Sequence, residues 1–246
     1  MEFQGKTALI TGGAVRLGRA IALALAEKGA DIVIHYGNSE AAARELQDRL
    51  RATGVSSHRV QGDLTSEAAC RTIMEQAIGA AGRLDILVNN AAAFHRDRLL
   101  SATEEGVLAE FWPNLFAPLF LIRAFATHCD HGRIVNMLDR RITAHDTACV
   151  PYMLAKKGLE ELTHLAALEL APHFAVNAVA PGVLLPPPGK DAGYLKEHGG
   201  PVPLEYQCTE ADISDAVLYL LGSDALTGQI IFVDGGKHLL GESTYG

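Results

Sequence analysis

The sequence predicts an α/β fold: a three-layer, doubly wound parallel sheet in a single domain spanning residues 1–246. Three observations carry this. Short apolar runs alternate with longer amphipathic segments along the whole chain. Strands separated by helices of about 10–20 residues form right-handed crossovers, and hence a parallel sheet covered on both faces. The runs Ile86-Leu87-Val88 and Ile230-Ile231-Phe232-Val233 are continuously apolar, as suits strands buried on both faces.

In order, Lys6 to Thr11 reads as a buried strand, and Leu17 to Lys28 as a helix stopped by Gly29. Asp31 to Tyr36 is the second strand. Ser39 opens a helix that runs to Thr53 and stops at Gly54. Ser57 to Gln61 is the third strand. Ser66 to Ala81 is helical, with Gly82 beyond it. Asp85 to Val88 is the fourth strand, and Asn89 to Leu100 a loop. Thr103 to His128 is a long helical region disturbed at Pro113 and Pro118. Arg133 to Leu138 is the fifth strand. Met153 to Leu170 has helical periodicity, and Phe174 to Ala180 is the sixth strand. Thr209-x-x-Asp212 has the form of a capping box opening a helix to Leu221. Gln229 to Val233 is the last strand. The Pro- and Gly-rich stretch Pro181 to Gln207 interrupts the alternation. Ligands in such sheets sit beyond the carboxyl ends of the strands, so this insertion is expected to be a substrate lid.

The 246 residues carry a net charge of −8. A nucleic-acid partner requires a basic face to displace counterions, so none is expected. A phosphorylated small ligand needs only a local positive site. Cys70, Cys129, Cys149 and Cys208 are widely separated and read as reduced thiols of a cytoplasmic protein. The first residues carry no secretion signal. No apolar run reaches about 18 residues, so no membrane association is expected. The ten histidines show no metal-like cluster, and no metal is expected.

Two stretches carry chemistry. Thr11-Gly12-Gly13-Ala14-Val15-Arg16-Leu17-Gly18 lies between a strand and a helix, where small residues let the backbone approach a pyrophosphate. The second strand ends in His35-Tyr36-Gly37-Asn38-Ser39 without the acidic residue usual for NAD. His35, Asn38, Ser39 and Arg16 can instead donate to a 2′-phosphate, so NADP(H) is the expected cofactor. Tyr152 and Lys156 sit four apart, on one face of a helix. A cation beside a phenol stabilises its anion and lowers its pKa, which makes the pair a candidate proton-transfer device.

Thr11-Gly12, Gly18, Asp63, Asn89-Asn90-Ala91, Asn114, Tyr152-x-x-x-Lys156, Pro181-Gly182 and Val233-Asp234-Gly235-Gly236 together resemble the short-chain dehydrogenase/reductase family, in its order and at its spacings. The resemblance implies a Rossmann-type domain, hydride transfer from a nicotinamide cofactor, and a homotetramer paired through Val107 to Ala126 and Tyr152 to Leu170. Tyr152 would be the proton donor, Lys156 would lower its pKa and hold the nicotinamide ribose, and Asn114 would anchor a water. Asp63 and Leu64 would face the adenine.

Two departures sharpen this. The family's middle glycine is Arg16 here. Its catalytic serine, thirteen residues before the tyrosine, is Asp139. A carboxylate cannot donate to a ketone oxygen; it suits a substrate that presents N–H groups, or a protonated or water-bridged Asp139 quenches a ring nitrogen after hydride addition to C=N. Both departures resemble the pteridine reductases, as do Arg16-Leu17-Gly18, His35-Tyr36 with Ser39, and Asn90-Ala91-x-x-Phe94. In that group a phenylalanine stacks the pterin, the role implied for Phe94. Ala92 and Leu184 stand where that group tends to carry serines, with Leu184 beside the substrate. Arg140 and Arg141 follow Asp139 and partly neutralise it. His145 and Asp146 read as a solvated loop. The leading expectation is an NADPH-dependent pterin or dihydropterin reductase, folates included. The alternatives are a carbonyl reductase of the same fold, acting on a 3-oxoacyl thioester or sugar ketone, and a non-catalytic NADP-binding sensor.

Overall fold

The computed structural model describes residues 3–183 and 200–240. Its seven strands are β1 (Thr7–Ile10), β2 (Asp31–Tyr36), β3 (Ser57–Gln61), β4 (Ile86–Asn89), β5 (Gly132–Met137), β6 (Phe174–Pro181) and β7 (Ile230–Val233). They form one sheet in the order β3-β2-β1-β4-β5-β6-β7. Every neighbouring pair is parallel. The chain winds outward from β1 to β3, then returns to β4 on the other side of β1. That reversal opens a crevice at the carboxyl ends of β1 and β4, where Rossmann-type sheets bind ligands.

The helices are α1 (Arg16–Glu27), α2 (Glu40–Ala52), α3 (Glu67–Ala81), α4 (Glu104–Phe111), α5 (Ala117–His128), α6 (Val150–Glu169) and α7 (Glu210–Gly222). On one face, residues of α1, α2 and α7 pack with Ile10, Ile32 and Ile34; on the other, residues of α3, α5 and α6 pack with Leu9, Val33 and Leu87. Successive strand residues thus feed opposite cores, because strand side chains alternate faces. This is why Ala8-Leu9-Ile10 and Ile86-Leu87-Val88 in the central strands read as unbroken apolar runs.

Helix starts follow the expected chemistry. Ser66 Oγ accepts from Ala69 N–H at 3.1 Å, and Thr103 Oγ1 from Gly106 N–H at 3.1 Å. The capping box is present: Thr209 N–H donates to Asp212 Oδ2 at 2.7 Å, and Asp212 N–H to Thr209 Oγ1 at 3.3 Å. α6 starts at Val150, three residues before the expected Met153. Pro151 is tolerated there because the first-turn N–H groups have no intrahelical acceptor anyway. Tyr152 is therefore already on the helix.

The region from Thr103 to His128 is one helical run with a π turn at Trp112–Phe116. Pro113 and Pro118 carry no N–H, so the carbonyls of Ala109 and Asn114 lose their ordinary donors. The ladder slips, and Ala117 N–H bonds to Trp112 O. Glu104–His128 is long and apolar enough to cross a membrane by length and composition alone, with 39% of its most apolar 18-residue window buried. Its apolar residues Leu121, Ile122 and Phe125 are buried in the core beneath the sheet.

Two short 3₁₀ turns, Arg140–Thr143 and Lys237–Leu240, have no periodicity to announce them. The four cysteines are free thiols. Of the expected lid, Leu184 and residues 185–199 lie outside the described residues.

Candidate active site

The turn after β1 is closed by its neighbours. Asn90 Nδ2 donates to Thr11 O at 2.9 Å, and the backbone N–H groups of Asn90 and Ala91 both donate to Thr11 Oγ1 at 2.9 Å. A Cβ on Gly18 would collide with Gly12 O and stand 2.6 Å from Asn90 Nδ2, so only glycine lets α1 start this close to the turn. Val15, the N-cap of α1, offers no side-chain acceptor to the first-turn N–H groups. A helix start left open in this way attracts an anion. Leu17 packs against the core below.

Arg16 is held at φ 51°, in the left-handed region that a residue other than glycine rarely adopts. Such strain costs roughly 1–3 kcal/mol and collects at ligand sites. Its side chain is exposed, as is Asn38. Ser39, the N-cap of α2, makes no side-chain cap bond. Arg16 follows β1, and Asn38 and Ser39 follow β2, at the carboxyl ends of two neighbouring strands. Asp63 is exposed just past β3, with Leu64 buried beside it, and Tyr36 is buried at the end of β2.

His35 does something other than expected. It is 2% exposed; Nδ1 accepts from Gly12 N–H at 3.2 Å, and Nε2–H donates to Gly62 O at 3.0 Å. Burial pushes its pKa below the ordinary value, against the opposing pull of the Gly62 carbonyl. Both ring nitrogens are engaged, so His35 braces the glycine turn and is not a free donor to a phosphate.

At the other end, Tyr152 and Asp139 meet. Tyr152 Oη donates to Asp139 Oδ2 at 2.9 Å. Asp139 follows β5 and caps the 3₁₀ turn beyond it, accepting from Arg141 N–H at 2.8 Å. The Arg141 guanidinium folds back onto it, with Nε 3.1 Å from Oδ1 and Nη2 2.9 Å from Oδ2. Arg141 also reaches Asp146 Oδ2 at 3.2 Å. Its carbon Cζ lies 5.0 Å from the ring centre of Phe94 and 5.2 Å from that of Tyr152. Phe94 stands edge-on to Tyr152 at 4.9 Å and is 47% exposed.

The electrostatics correct two expectations. Burial pushes the Asp139 carboxyl up, but the Arg141 charge and its hydrogen bonds outweigh it and hold the pKa below the usual carboxylate value. Asp139 is therefore ionised, not protonated. The second expectation is a lowered pKa for Tyr152 beside Lys156. Burial, then the Asp139 charge, instead push it well above its ordinary value. Lys156 Nζ donates to Met137 O at 2.8 Å and lies 5.9 Å from the phenol ring centre. Asp146, expected in a solvated loop, is a partner of Arg141.

Asn114 occupies the π turn, a feature that often marks functional sites. Its Nδ2 donates to Ala93 O and Glu110 O, both at 2.9 Å, and to Glu110 Oε2 at 3.1 Å. Its Oδ1 is buried with no hydrogen-bond partner among the described residues, an acceptor open to one donor. Glu110 has no place among the residues that sequence reasoning selects. It is 1% exposed and accepts from His95 N–H at 2.7 Å and pairs with His95 Nδ1 at 2.6 Å. Its place one turn before Asn114 is the available signal.

Lys156 is 3% exposed, and burial lowers its pKa from 10.5 to about 8, with Asp139 and Glu110 opposing. The unfolded chain keeps this proton to higher pH, so folding is penalised below about 8 and the penalty fades by 10.5. Stability of the wild type relative to Lys156→Met is therefore expected to rise by about 3 kcal/mol between pH ~7.5 and ~10.5. Urea unfolding of both proteins at the two pH values checks this; a flat difference would show that Lys156 is hydrated.

Pro181 and Gly182 lie at the end of β6, where a Cβ on Gly182 would stand 2.9 Å from Asp234 Cα. Among the described residues no cluster of His, Cys, Asp and Glu is placed to hold a metal.

Residues 13–238 match the family model described as enoyl-(acyl carrier protein) reductase. Pteridine reductase 1 of Leishmania tarentolae is 33% identical over 277 residues, covering 94% of this chain and 96% of its own length. The 3-oxoacyl-[acyl-carrier-protein] reductase FabG of Staphylococcus aureus is 32% identical, covering 95% of this chain and 98% of its own. The crystal structure of FolM alternative dihydrofolate reductase 1 from Brucella canis, complexed with NADP, superposes with a TM-score of 0.92 at 30% identity, covering 98% of this chain and 97% of that one.

Proposed function

Because this chain belongs to the short-chain dehydrogenase/reductase family, we propose that it reduces a C=N bond of a pterin or dihydropterin, folates included, with NADPH. It is an oxidoreductase, and NADP(H) is its cofactor. The residues present fit that cofactor. Gly12, Leu17 and Gly18 would cradle the pyrophosphate, a place where a Cβ on Gly18 has no room. Strained Arg16, with Asn38 and Ser39, would take the 2′-phosphate, over Tyr36 and the bracing His35. Asp63 and Leu64 would flank the adenine. Asn90, Ala91, Pro181, Gly182 and Lys156 would hold the nicotinamide half.

When bound, NADPH supplies the hydride. This chain's residues supply the proton and the orientation. Tyr152 keeps its proton throughout the neutral range, because its pKa is raised, so it is poised as an acid. Its hydroxyl proton points at Asp139 Oδ2. Turning that proton to a ring nitrogen frees Oδ2 to accept from an N–H of the same ring. Arg141 and Lys156 offset the charge left on the phenolate. Asn114 Oδ1 would hold the water that returns the proton. Phe94 would cover the ring; an aromatic face on a planar heterocycle adds roughly 0.5–1.5 kcal/mol to area burial.

The observation that carries this reading is the ionised, arginine-clamped Asp139 hydrogen-bonded to the phenol. A carboxylate there repels the oxyanion of a reduced ketone but accepts from a pterin N–H. The FabG relative keeps a second reading alive, a 3-oxoacyl thioester reductase, which Asp139 disfavours. Exposed Leu108, Leu119, Leu154, Leu165 and Leu168 on α4, α5 and α6 support the homotetramer. The free thiols support a reducing, cytoplasmic setting.

Purified protein with NADPH is expected to reduce at least one of dihydrobiopterin, dihydromonapterin and dihydrofolate. Absence of NADPH oxidation with all three would overturn the reading. Asp139→Ser is expected to raise the kcat/KM ratio of a 3-oxoacyl thioester over the pterin by at least about tenfold, the scale of one transition-state hydrogen bond. An unchanged ratio would remove Asp139 from substrate choice.

A further inference from the structure

Two cations beside the reaction site have no counterion in hydrogen-bond contact among the described residues. Arg140, the residue after Asp139, is 8% exposed, and Lys237 is 5% exposed. Arg140 Nε and Lys237 Nζ are buried and make no hydrogen bond among the described residues. Their two 3₁₀ turns pack against each other, so two like charges face one poorly solvated region. Burial, then the Arg140 charge, lowers the Lys237 pKa, with Asp234 opposing. Asp234 does not close the gap. Its carboxylate already accepts from Gly236 N–H at 3.0 Å and His238 N–H at 2.7 Å, and pairs with His238 Nδ1 at 2.9 Å. A buried unpaired charge is destabilising. Two such charges, unpartnered among the described residues, point to a partner that arrives from outside.

The space for that partner exists. Lys237 lines a cavity of about 460 Å³ together with Gly182, Val183, Gly200, Val202 and Cys208. A Cβ on Gly200 would stand 3.3 Å from Lys237 Nζ, so glycine keeps the approach to the ammonium clear. Gly182 places one wall of the cavity at the carboxyl end of β6; Arg140 lies behind the lining, on the 3₁₀ turn packed against that of Lys237 and one residue after Asp139. Glu205, an exposed residue, also lines the cavity, and its charge disfavours an anion on that side.

We propose that Arg140 and Lys237 form a subsite for an anionic group, carboxylate or phosphate, carried by the substrate beyond the ring held at Asp139. The assignment of a substrate tail rests on the pterin reading; the anion site itself rests on the cavity and the two cations. The substrate class is then a dihydropterin with a negatively charged tail, and neutral-tailed pterins are the poorer substrates.

The test compares three substrates in the NADPH assay: dihydrofolate, with carboxylates; a dihydropterin phosphate monoester; and dihydrobiopterin, with a neutral tail. In the Arg140→Gln/Lys237→Met double variant, the kcat/KM ratio of the preferred anionic substrate over dihydrobiopterin is expected to fall at least about tenfold, through KM, as loss of charge-assisted hydrogen bonds implies. Lys237→Arg should restore most of it. Whichever anionic substrate shows the fall identifies carboxylate or phosphate as the tail. A second readout needs no turnover. With NADP saturating, inorganic phosphate or glutarate should raise the wild-type Tm and leave the double variant unmoved. Without anion, Lys237→Met alone should melt higher than wild type, since it removes a buried unpaired charge. An unchanged substrate ratio, or an anion-induced Tm rise that survives the double variant, overturns the subsite. If no pterin is reduced yet the anion effect is lost in the double variant, the subsite stands and the pterin reading falls.

Discussion

Tyr152→Phe is expected to lower kcat for dihydropterin reduction by about a thousandfold, within the range that removal of a positioned general acid produces. The phenol carries the only hydroxyl placed on Asp139 among the described residues. Phenylalanine keeps its edge contact with Phe94 and loses the proton. The variant should still fold. Asp139 retains its bonds to Arg141, so the stability loss is that of one hydrogen bond to a charged group, about 2 kcal/mol. Single-turnover measurement of NADPH oxidation below the unfolding transition separates the two effects, because only the folded protein then reports the slowed chemistry. If the variant turns over within about tenfold of wild type, less than the span a positioned acid supplies, the proton comes from elsewhere, and the Glu110–His95 pair beside Asn114 is the group to examine next.

The wild-type pH profile follows from the same cluster. Tyr152 is raised well above its ordinary value and does not titrate in the working range. Lys156 does, at about 8, so loss of its charge removes one of the two cations that offset the phenolate. Activity therefore declines on the alkaline side through Lys156.

The sheet was legible where parallel strands buried on both faces write themselves as apolar runs, as Ile32-Val33-Ile34 does within Asp31–Tyr36 and Ile86-Leu87-Val88 within β4. Helix starts were legible where a side chain closes a local ring, as at Ser66 and Thr209. Tyr152 and Lys156 were placed on one helix by their spacing. What sequence did not reveal depends on where long or ionisable side chains fold. Arg141 looked like a neighbour that dilutes the Asp139 charge; in space it clamps the carboxylate and covers two aromatic rings. His35 looked like a phosphate donor because it ends β2, but strand alternation turns it inward onto Gly12 and Gly62. Glu110 sits in a helix whose period marks faces and not partners, so its burial under His95 left no trace in the pattern. The π turn was signalled by two prolines, whose missing donors force a slip that periodicity alone does not register.

Arg141→Met should produce the largest loss of stability in the reaction site, about 3–5 kcal/mol at neutral pH, the cost of stranding one member of a buried ion pair. The two side chains are only 20% and 17% exposed, so water screens little of the interaction. The pH dependence separates this cause from lost packing. In the wild type the Asp139 pKa is depressed, so its contribution is present above the unfolded value of about 3.9 and is lost as pH falls through the folded one. In Arg141→Met, burial dominates and the Asp139 pKa rises, so protonation on acidification relieves the variant. The gap between the two proteins should therefore narrow from pH ~7 to pH ~4. Asp139→Asn removes the stranded charge, and the double variant should recover more than about 1.5 kcal/mol of the sum of the single losses. Additive losses, or a gap independent of pH, would mean that Arg141 acts through its contacts with Phe94 and Tyr152. Asp139 would then owe its ionised state to the Arg141 backbone amide and the phenol.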